Sequence, residues 1–242
     1  MTQHNFFSIE LPSRCKPYKD VDPSAIRVRA FTGGDEAMLA ETTEKNAATK
    51  LTDVLGRCLE GVDIKEITLG DKLFLMVWHA INSYSDGFTA TITCQHCLQQ
   101  IKVSYNLADA EIVYLSDKFK EPIDVKLSDG TVAKCKLVRV KDEIQLERMA
   151  QTVENIYLQS IAMTIVNPEK DLMEKIKWLE DLPSKDVAKI RAVQDSFYHG
   201  PDFKMKYTCD KCAGEGKFTA PFRFEHLIPY GDALVKNFGV KV

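Results

Sequence analysis

The sequence predicts an α+β fold, a single unit of 242 residues in which a body of helices carries two β-hairpins. Three observations carry that expectation. Apolar residues recur at helical spacing up to residue 84 and again between 142 and 198. Two other stretches, "FTATITCQHCLQQIKVSYNL" from 88 and "FKMKYTCDKCAGEGKFTAPFRF" from 203, alternate like strands on either side of a polar turn. The two stretches also echo each other. Each has Phe six residues before its first Cys, Thr immediately before that Cys, and Cys-x-x-Cys at the turn.

Taken in order, residues 1–25 carry Pro12, Pro17 and Pro23 and read as irregular. "AIRVRAF" (25–31) alternates as a short strand. The next two segments, 33–41 and 44–60, have helical composition, the second with Ala47, Leu51, Val54, Leu55, Cys58 and Leu59 on one side. Gly33-Gly34 followed by Asp35-Glu36 reads as a helix N-terminus, where acidic residues are favoured; no Walker lysine or G-x-G-x-x-G accompanies it. Thr68 and Asp71 are spaced as a capping box before an apolar run, and Phe74, Leu75 and Trp78 spread that run most of the way round, so a central buried helix is expected. Asp129-Gly130 between β-prone residues predicts a hairpin. One long amphipathic helix is expected from Asp142 to about Val166, ended by Asn167-Pro168, then shorter helices at 170–181 and 184–198. The unit divides into 1–87 (N-terminal strand and helices), 88–141 (first cysteine turn and hairpin), 142–200 (helical insert), 201–225 (second cysteine turn) and 226–242 (C-terminal tail).

Composition narrows the function classes. A net charge of −3 provides no global attraction to nucleic acid or an anionic membrane. The N-terminus has no signal-peptide pattern, and the longest apolar run, 73–81, is interrupted by His79 and far shorter than the ~20 residues of a membrane span, so a cytosolic chain without a membrane partner is expected. No H-E-x-x-H, deaminase or G-x-S-x-G pattern occurs, and the five histidines are scattered. His79 reads as a satisfied core histidine. The expectation is a protein that is not an enzyme and has no small-molecule substrate.

Four of the seven cysteines form the two pairs Cys94/Cys97 and Cys209/Cys212. Thiolates separated by two residues across a tight turn can occupy two corners of a tetrahedron, so each pair is half a site. The two together make a zinc-ribbon-like, four-cysteine site for structural Zn2+. The 111 intervening residues are no obstacle, since each doubling of a loop costs only about 0.6 kcal/mol. A redox disulfide is a second reading, although redox C-x-x-C pairs sit at a helix N-terminus and these do not. Metal-free thiols are a third. Gly214 and Gly216 suit the second turn; the first lacks them, and His96 within it reads as an exposed turn residue. Cys15, Cys58 and Cys135 read as isolated small hydrophobes.

Lys204, Lys206, Lys211 and Lys217 with Tyr207 and Phe218 sketch a small basic-aromatic surface, so a zinc-ribbon nucleic-acid-binding regulator is the alternative function; Asp210 and Glu215 interrupt it. The tail residues Leu227, Ile228, Tyr230, Leu234, Val235 and Phe238 are apolar enough to be a partner-binding surface or to dock on the protein's own core, and the Asp129-Gly130 hairpin is a second candidate contact.

Several segments together resemble T4-type phage baseplate hub proteins. "LPSRCKPYKDVDPSAIRVRAFTGGDEAML" (11–39) is similar to the family's opening, "EITLGDKLFLMVWHAINSYSDGFTATITCQHC" (66–97) to its most recognisable stretch, and "IKVSYNLADAEIVYL" follows on in the same way. The chain departs from the pattern at Gln95-His96 and Leu98, where C-P-x-C-G is usual, and at Trp78-His79, where a polar residue is usual. The resemblance implies a structural or assembly role, chaperone included, in the hub of a contractile tail's baseplate. It implies phage baseplate hub and tail proteins as partners, and the host cytoplasm during assembly, or the virion's tail baseplate, as the location.

Overall fold

A computed structural model describes residues 5–43, 45–84 and 87–222. Local signals start the helices of the first third. Thr32 and Asp35 form a reciprocal capping box on α1 (Gly33–Ala40). Asp35 is also fully buried against the guanidinium of Arg29 at 2.6 Å, with Arg57 at 3.2 Å on its other oxygen. α2 (Ala47–Cys58) turns Leu51, Val54, Leu55 and Cys58 inward, as its spacing predicts. Its own N-cap, Asn46, makes no side-chain cap. Glu147 does that work from a later helix, accepting from the amides of Ala48 at 2.6 Å and Thr49 at 3.1 Å. The strand expected over 25–31 shrinks to β2 (Arg27–Val28), because a 3-10 turn capped by Asp22 occupies Pro23–Ala25. β2 lies between β1 (Phe7–Ser8) and β3 (Leu59–Glu60) in an antiparallel sheet.

α3 (Leu69–Ser83) runs through the main core with Leu75, Val77, His79 and Ala80 buried, the central helix that its apolar run predicts. Only half of its expected capping box forms. Thr68 accepts from the Asp71 amide, but the Asp71 carboxylate is drawn elsewhere. One oxygen takes the Ser13 amide at 2.8 Å, and the other takes the hydroxyls of Ser13 at 2.5 Å and Tyr18. Tyr18 in turn accepts from the Thr68 amide at 2.8 Å, and the Thr68 hydroxyl meets His199 Nε2 at 2.6 Å. All of these residues are buried, so one carboxylate organises the N-terminal segment, the start of α3 and the approach to the C-terminal strands. Glycine permits the closest approach there. A Cβ on Gly70 would lie 2.2 Å from the His199 carbonyl oxygen, and Gly200 opposite it has φ +118.

Beyond α3 come β4 (Gly87–Thr93), β5 (Gln100–Asn106), β6 (Glu111–Val113), and the hairpin of β7 (Ile123–Lys126) with β8 (Val132–Cys135). The Asp129-Gly130 turn closes β7 onto β8 with φ +88 at Gly130, as its sequence predicts. β9 (Gly200–Asp202) pairs with β6, and β10 (Lys204–Thr208) with β11 (Glu215–Thr219). A second core is built from the β7–β8 hairpin and three helices: α5 (Tyr157–Ala162), α6 (Leu172–Glu180) and α7 (Ser184–Ser196).

The single helix expected over 142–166 is two. α4 (Val140–Met149) puts Val140 and Ile144 into the first core, whereas Ile161 and Ala162 of α5 belong to the second. A straight helix cannot serve both. α4 ends at Met149; β-branched Thr152 and Val153 lie in the turn that follows, where the Thr152 hydroxyl bonds back to the Met149 carbonyl.

Replacing Asp71 with Ala strands the buried amide and hydroxyl of Ser13 and leaves the Tyr18 hydroxyl only its 3.3 Å bond to the Thr68 hydroxyl, and each unsatisfied group costs on the order of 1–3 kcal/mol. Asp71→Ala is therefore expected to lose about 3 kcal/mol or more, read from the urea midpoint and slope. Acid acts on two other carboxylates. The Lys189 ammonium and the Ser128 amide and hydroxyl hold Asp186 down to about 2. Burial pushes Asp35 up, but Arg29 and Thr32 outweigh it and hold that carboxyl well below the usual range. Both are lower in the folded than in the unfolded chain, so their stabilisation is complete above about pH 4 and drains away as the pH falls below it. Urea midpoints measured at pH 7, 4 and 3 should drop most over the last interval, and less so in Asp186→Asn.

Candidate metal centre

The two cysteine-bearing turns have the same backbone. Between β4 and β5, the Cys94 amide donates to the Gln99 carbonyl and the Leu98 amide to the Cys94 carbonyl, at 2.9 and 3.0 Å. Between β10 and β11, Cys209 pairs with Gly214 and Ala213 with Cys209 at the same distances. In each turn the residue after the second cysteine is left-handed, Leu98 at φ 59 and Ala213 at φ 55. Neither is glycine. Gly214 and Gly216 serve packing instead: a Cβ on the first would stand 2.6 Å from the His96 ring, and one on the second 2.7 Å from the Tyr207 ring. In each turn an amide also points at the first sulfur, His96 N at Cys94 and Lys211 N at Cys209, both at 3.4 Å.

The fold brings the four sulfurs of Cys94, Cys97, Cys209 and Cys212 within 4.8 Å of one another. Cys94 and Cys212 are 3.8 Å apart, as are Cys97 and Cys209. Thiolates at about 2.3 Å from a tetrahedral metal stand about 3.8 Å apart, so this spacing fits a metal ion, and it is nearly twice the roughly 2.05 Å of a disulfide. Both pairs lie in hairpin turns and neither opens a helix, which removes the geometry that a redox C-x-x-C uses. The thiols are electrostatically unequal. Amide hydrogen bonds, first from Cys97 and then from His96, bring Cys94 down to about 6 against desolvation. The Gly214 amide pulls Cys212 the same way, but desolvation and the three neighbouring sulfurs win and push it up to about 12. Four sulfurs so close cannot all ionise unaided; a cation among them would remove that restriction.

Contacts other than sulfur also hold the turns together, and these were not legible in the repeat. His96 Nε2 donates to the Glu215 carbonyl at 2.7 Å, so this exposed residue has a partner on the opposite turn. The Gln95 amide donates to the Tyr207 hydroxyl at 3.0 Å, and Tyr105 reaches the Pro221 carbonyl at 2.8 Å. Beneath them Ile101, Val103 and Tyr207 are buried with Ile92 and Phe218 packed against them. Tyr207 and Phe218 thus turn inward, away from the exposed Lys204, Lys206 and Lys217 of the same hairpin. Strand alternation puts the rings and the lysines of this hairpin on opposite faces, although Lys204, Lys217, Tyr207 and Phe218 still line one cleft.

The remaining candidates separate cleanly. Leu227, Ile228, Tyr230, Leu234, Val235 and Phe238 lie outside the described residues. Cys15, Cys58 and Cys135 are buried apart from the cluster, and burial pushes their thiols up to about 11, 12 and 11. His79 is in the core as expected, but neither ring nitrogen has a hydrogen-bond partner among the described residues. It stacks on Phe31, centroids 4.0 Å apart and planes 3° from parallel, and burial, followed by Arg29, lowers it to about 3. It therefore acts as a neutral aromatic ring.

A family model described as T4 bacteriophage base plate protein matches residues 5–227. No curated protein and no solved structure matches the chain.

Metal binding must displace at least the Cys212 proton at neutral pH. Affinity for a divalent ion should therefore rise with pH, about tenfold per unit for each proton released. Competition against a chromophoric chelator at pH 6, 7 and 8 measures that slope; a flat profile would show that these thiols are not the ligands.

Proposed function

The chain belongs to the T4 bacteriophage base plate protein family, and from that premise we propose that it is a structural or assembly protein of the baseplate hub of a contractile-tailed phage. It acts by contact with hub and tail proteins, in the host cytoplasm while the tail is built, and carries structural Zn2+ on Cys94, Cys97, Cys209 and Cys212. The family match over most of the chain is the observation that carries this reading; the four-sulfur cluster supports the metal.

The role of the metal follows from its donors. Four thiolates fill a tetrahedral shell and leave no position for water or substrate, so zinc here ties hairpins together and does no hydrolysis. Bound zinc stabilises the fold by holding together two turns separated by 111 residues of chain, and in small domains such sites contribute on the order of 10 kcal/mol. What the zinc protects is the shape of a contact surface. The nucleic-acid alternative loses its stacking platform once Tyr207 is buried, and it gains nothing from a net charge of −3.

Two measurements test the reading. Elemental analysis of the purified chain should find about one zinc; under half an equivalent, with all four thiols freely titrating, overturns the metal assignment, and iron in its place overturns the identity of the ion. Tagged protein recovered from phage-infected cells should carry hub and tail proteins in both wild type and Cys97→Ser, with lower yield in the variant. Recovery of DNA or RNA in place of tail proteins overturns the hub assignment.

A further inference from the structure

Among the described residues, the β7–β8 hairpin leaves a backbone edge open beside a basic cleft. Its register sets the direction of the backbone groups. Leu127 N–H donates to the Thr131 carbonyl, so Ala133 and Cys135 face β7, while Val132, Lys134 and Lys136 direct their amides and carbonyls to the other side. On that side pairing begins and then stops. Lys136 N donates to the Thr164 carbonyl at 2.7 Å and Val166 N to the Lys134 carbonyl at 2.8 Å. Next comes Asn167-Pro168, where the Asn167 side chain turns back to the Glu169 amide at 3.0 Å. Among the described residues, no strand continues along Val132, which is 54% exposed.

Where pairing stops there is a cleft of about 400 Å3, walled by Val132, Lys134, Val166, Lys170, Lys175 and Trp178. None of these three lysines has an ion-pair partner among the described residues. Lys170 stands 5.8 Å from the centre of the Trp178 ring. The one carboxylate in the wall, Asp129, is engaged in its own turn, where it accepts from the Thr131 amide at 2.9 Å and hydroxyl at 2.7 Å. The cleft thus combines unpaired positive charge, an aromatic face and free strand-edge groups.

We propose that this cleft takes an extended acidic segment of another protein chain, added as a strand along β8 past Val166. Its carboxylates would lie among Lys134, Lys170 and Lys175, with an apolar side chain against Trp178. Strand addition satisfies the open amides and carbonyls, and carboxylates relieve the repulsion among the lysines. A small anion would use the charges and leave the edge open. A nucleic acid offers no peptide groups to extend the ladder. The proposal deepens the reading of a protein that works by contact, but it depends neither on zinc nor on placement in the hub.

The probe is a fluorescein-labelled peptide of alternating Glu and Val, titrated into the full chain, with Trp178 emission followed in a Trp78→Phe background. The peptide should bind and alter that emission. Combined Lys134→Glu, Lys170→Glu and Lys175→Glu should weaken binding at least tenfold, and the milder Lys→Gln set should act in the same direction if the reversed set fails to fold. Combined Lys204→Glu, Lys206→Glu and Lys217→Glu should leave it unchanged. A peptide N-methylated at alternate residues should bind at least tenfold more weakly. No binding, equal binding by the cleft variants, equal binding of the N-methylated peptide, or equal competition by inorganic phosphate or oligo-dT would overturn the inference. Recovery of tail proteins by the parent chain would leave the hub reading standing in every one of those cases.

Discussion

The Asp71 carboxylate is the constraint on which most of this structure depends. It sits at the start of the central helix, yet its partners come from Ser13 and Tyr18, and through Thr68 it connects to His199. A buried carboxylate is tolerable only when its oxygens are filled with donors, so the N-terminal segment must come to it. With His199 held there, Gly200 lies against Gly70 and β9 pairs with β6. The chain then leaves β9 directly into β10, the first strand of the second cysteine hairpin. The polar anchor in the core thus sets where one half of the sulfur cluster starts, well away from any sulfur.

The sulfur cluster depends on that placement and on packing of its own. Tyr207 and Phe218 from one hairpin meet Ile92, Ile101 and Val103 from the other, and His96 and Gln95 cross between the turns. These contacts hold the two hairpins, and with them the two pairs of thiols, against each other. A bound cation would add what the thiols lack, a charge that lets four neighbouring sulfurs ionise together. A metal at these four sulfurs would act as a fastening between two hairpins that apolar packing also joins.

The second core shows where local reading reaches its limit. The apolar period from 146 to 165 reaches a core only in its second half, through Ile161 and Ile165; α4 instead buries Val140 and Ile144, which lie before the period, and the helix does not continue past Met149. Periodicity reports that a face is apolar and says nothing about which neighbour it meets. The same limit explains His79, whose position in the core was legible but whose stacking on Phe31, 48 residues earlier, was not. It explains Glu147 too, a surface-type residue by sequence that caps α2 from another helix.

What the sequence determined by itself is whatever depends on neighbours a few residues apart: the helix N-terminus at Gly33–Glu36, the helix capped at Thr68, the Asp129-Gly130 hairpin, and the paired cysteines whose spacing in each turn already suits a shared metal. Tertiary structure alone decided that the two pairs, already read as halves of one site, stand with sulfurs 3.8 Å apart, that Tyr207 and Phe218 face inward while the lysines face out, and that Asp71 is spent on Ser13 and Tyr18 rather than on its own helix cap. The physical reason is range. Caps, turns and alternation are settled by hydrogen bonds and sterics within one element, whereas a buried carboxylate or a four-sulfur site needs partners that only a closed core brings within bonding distance.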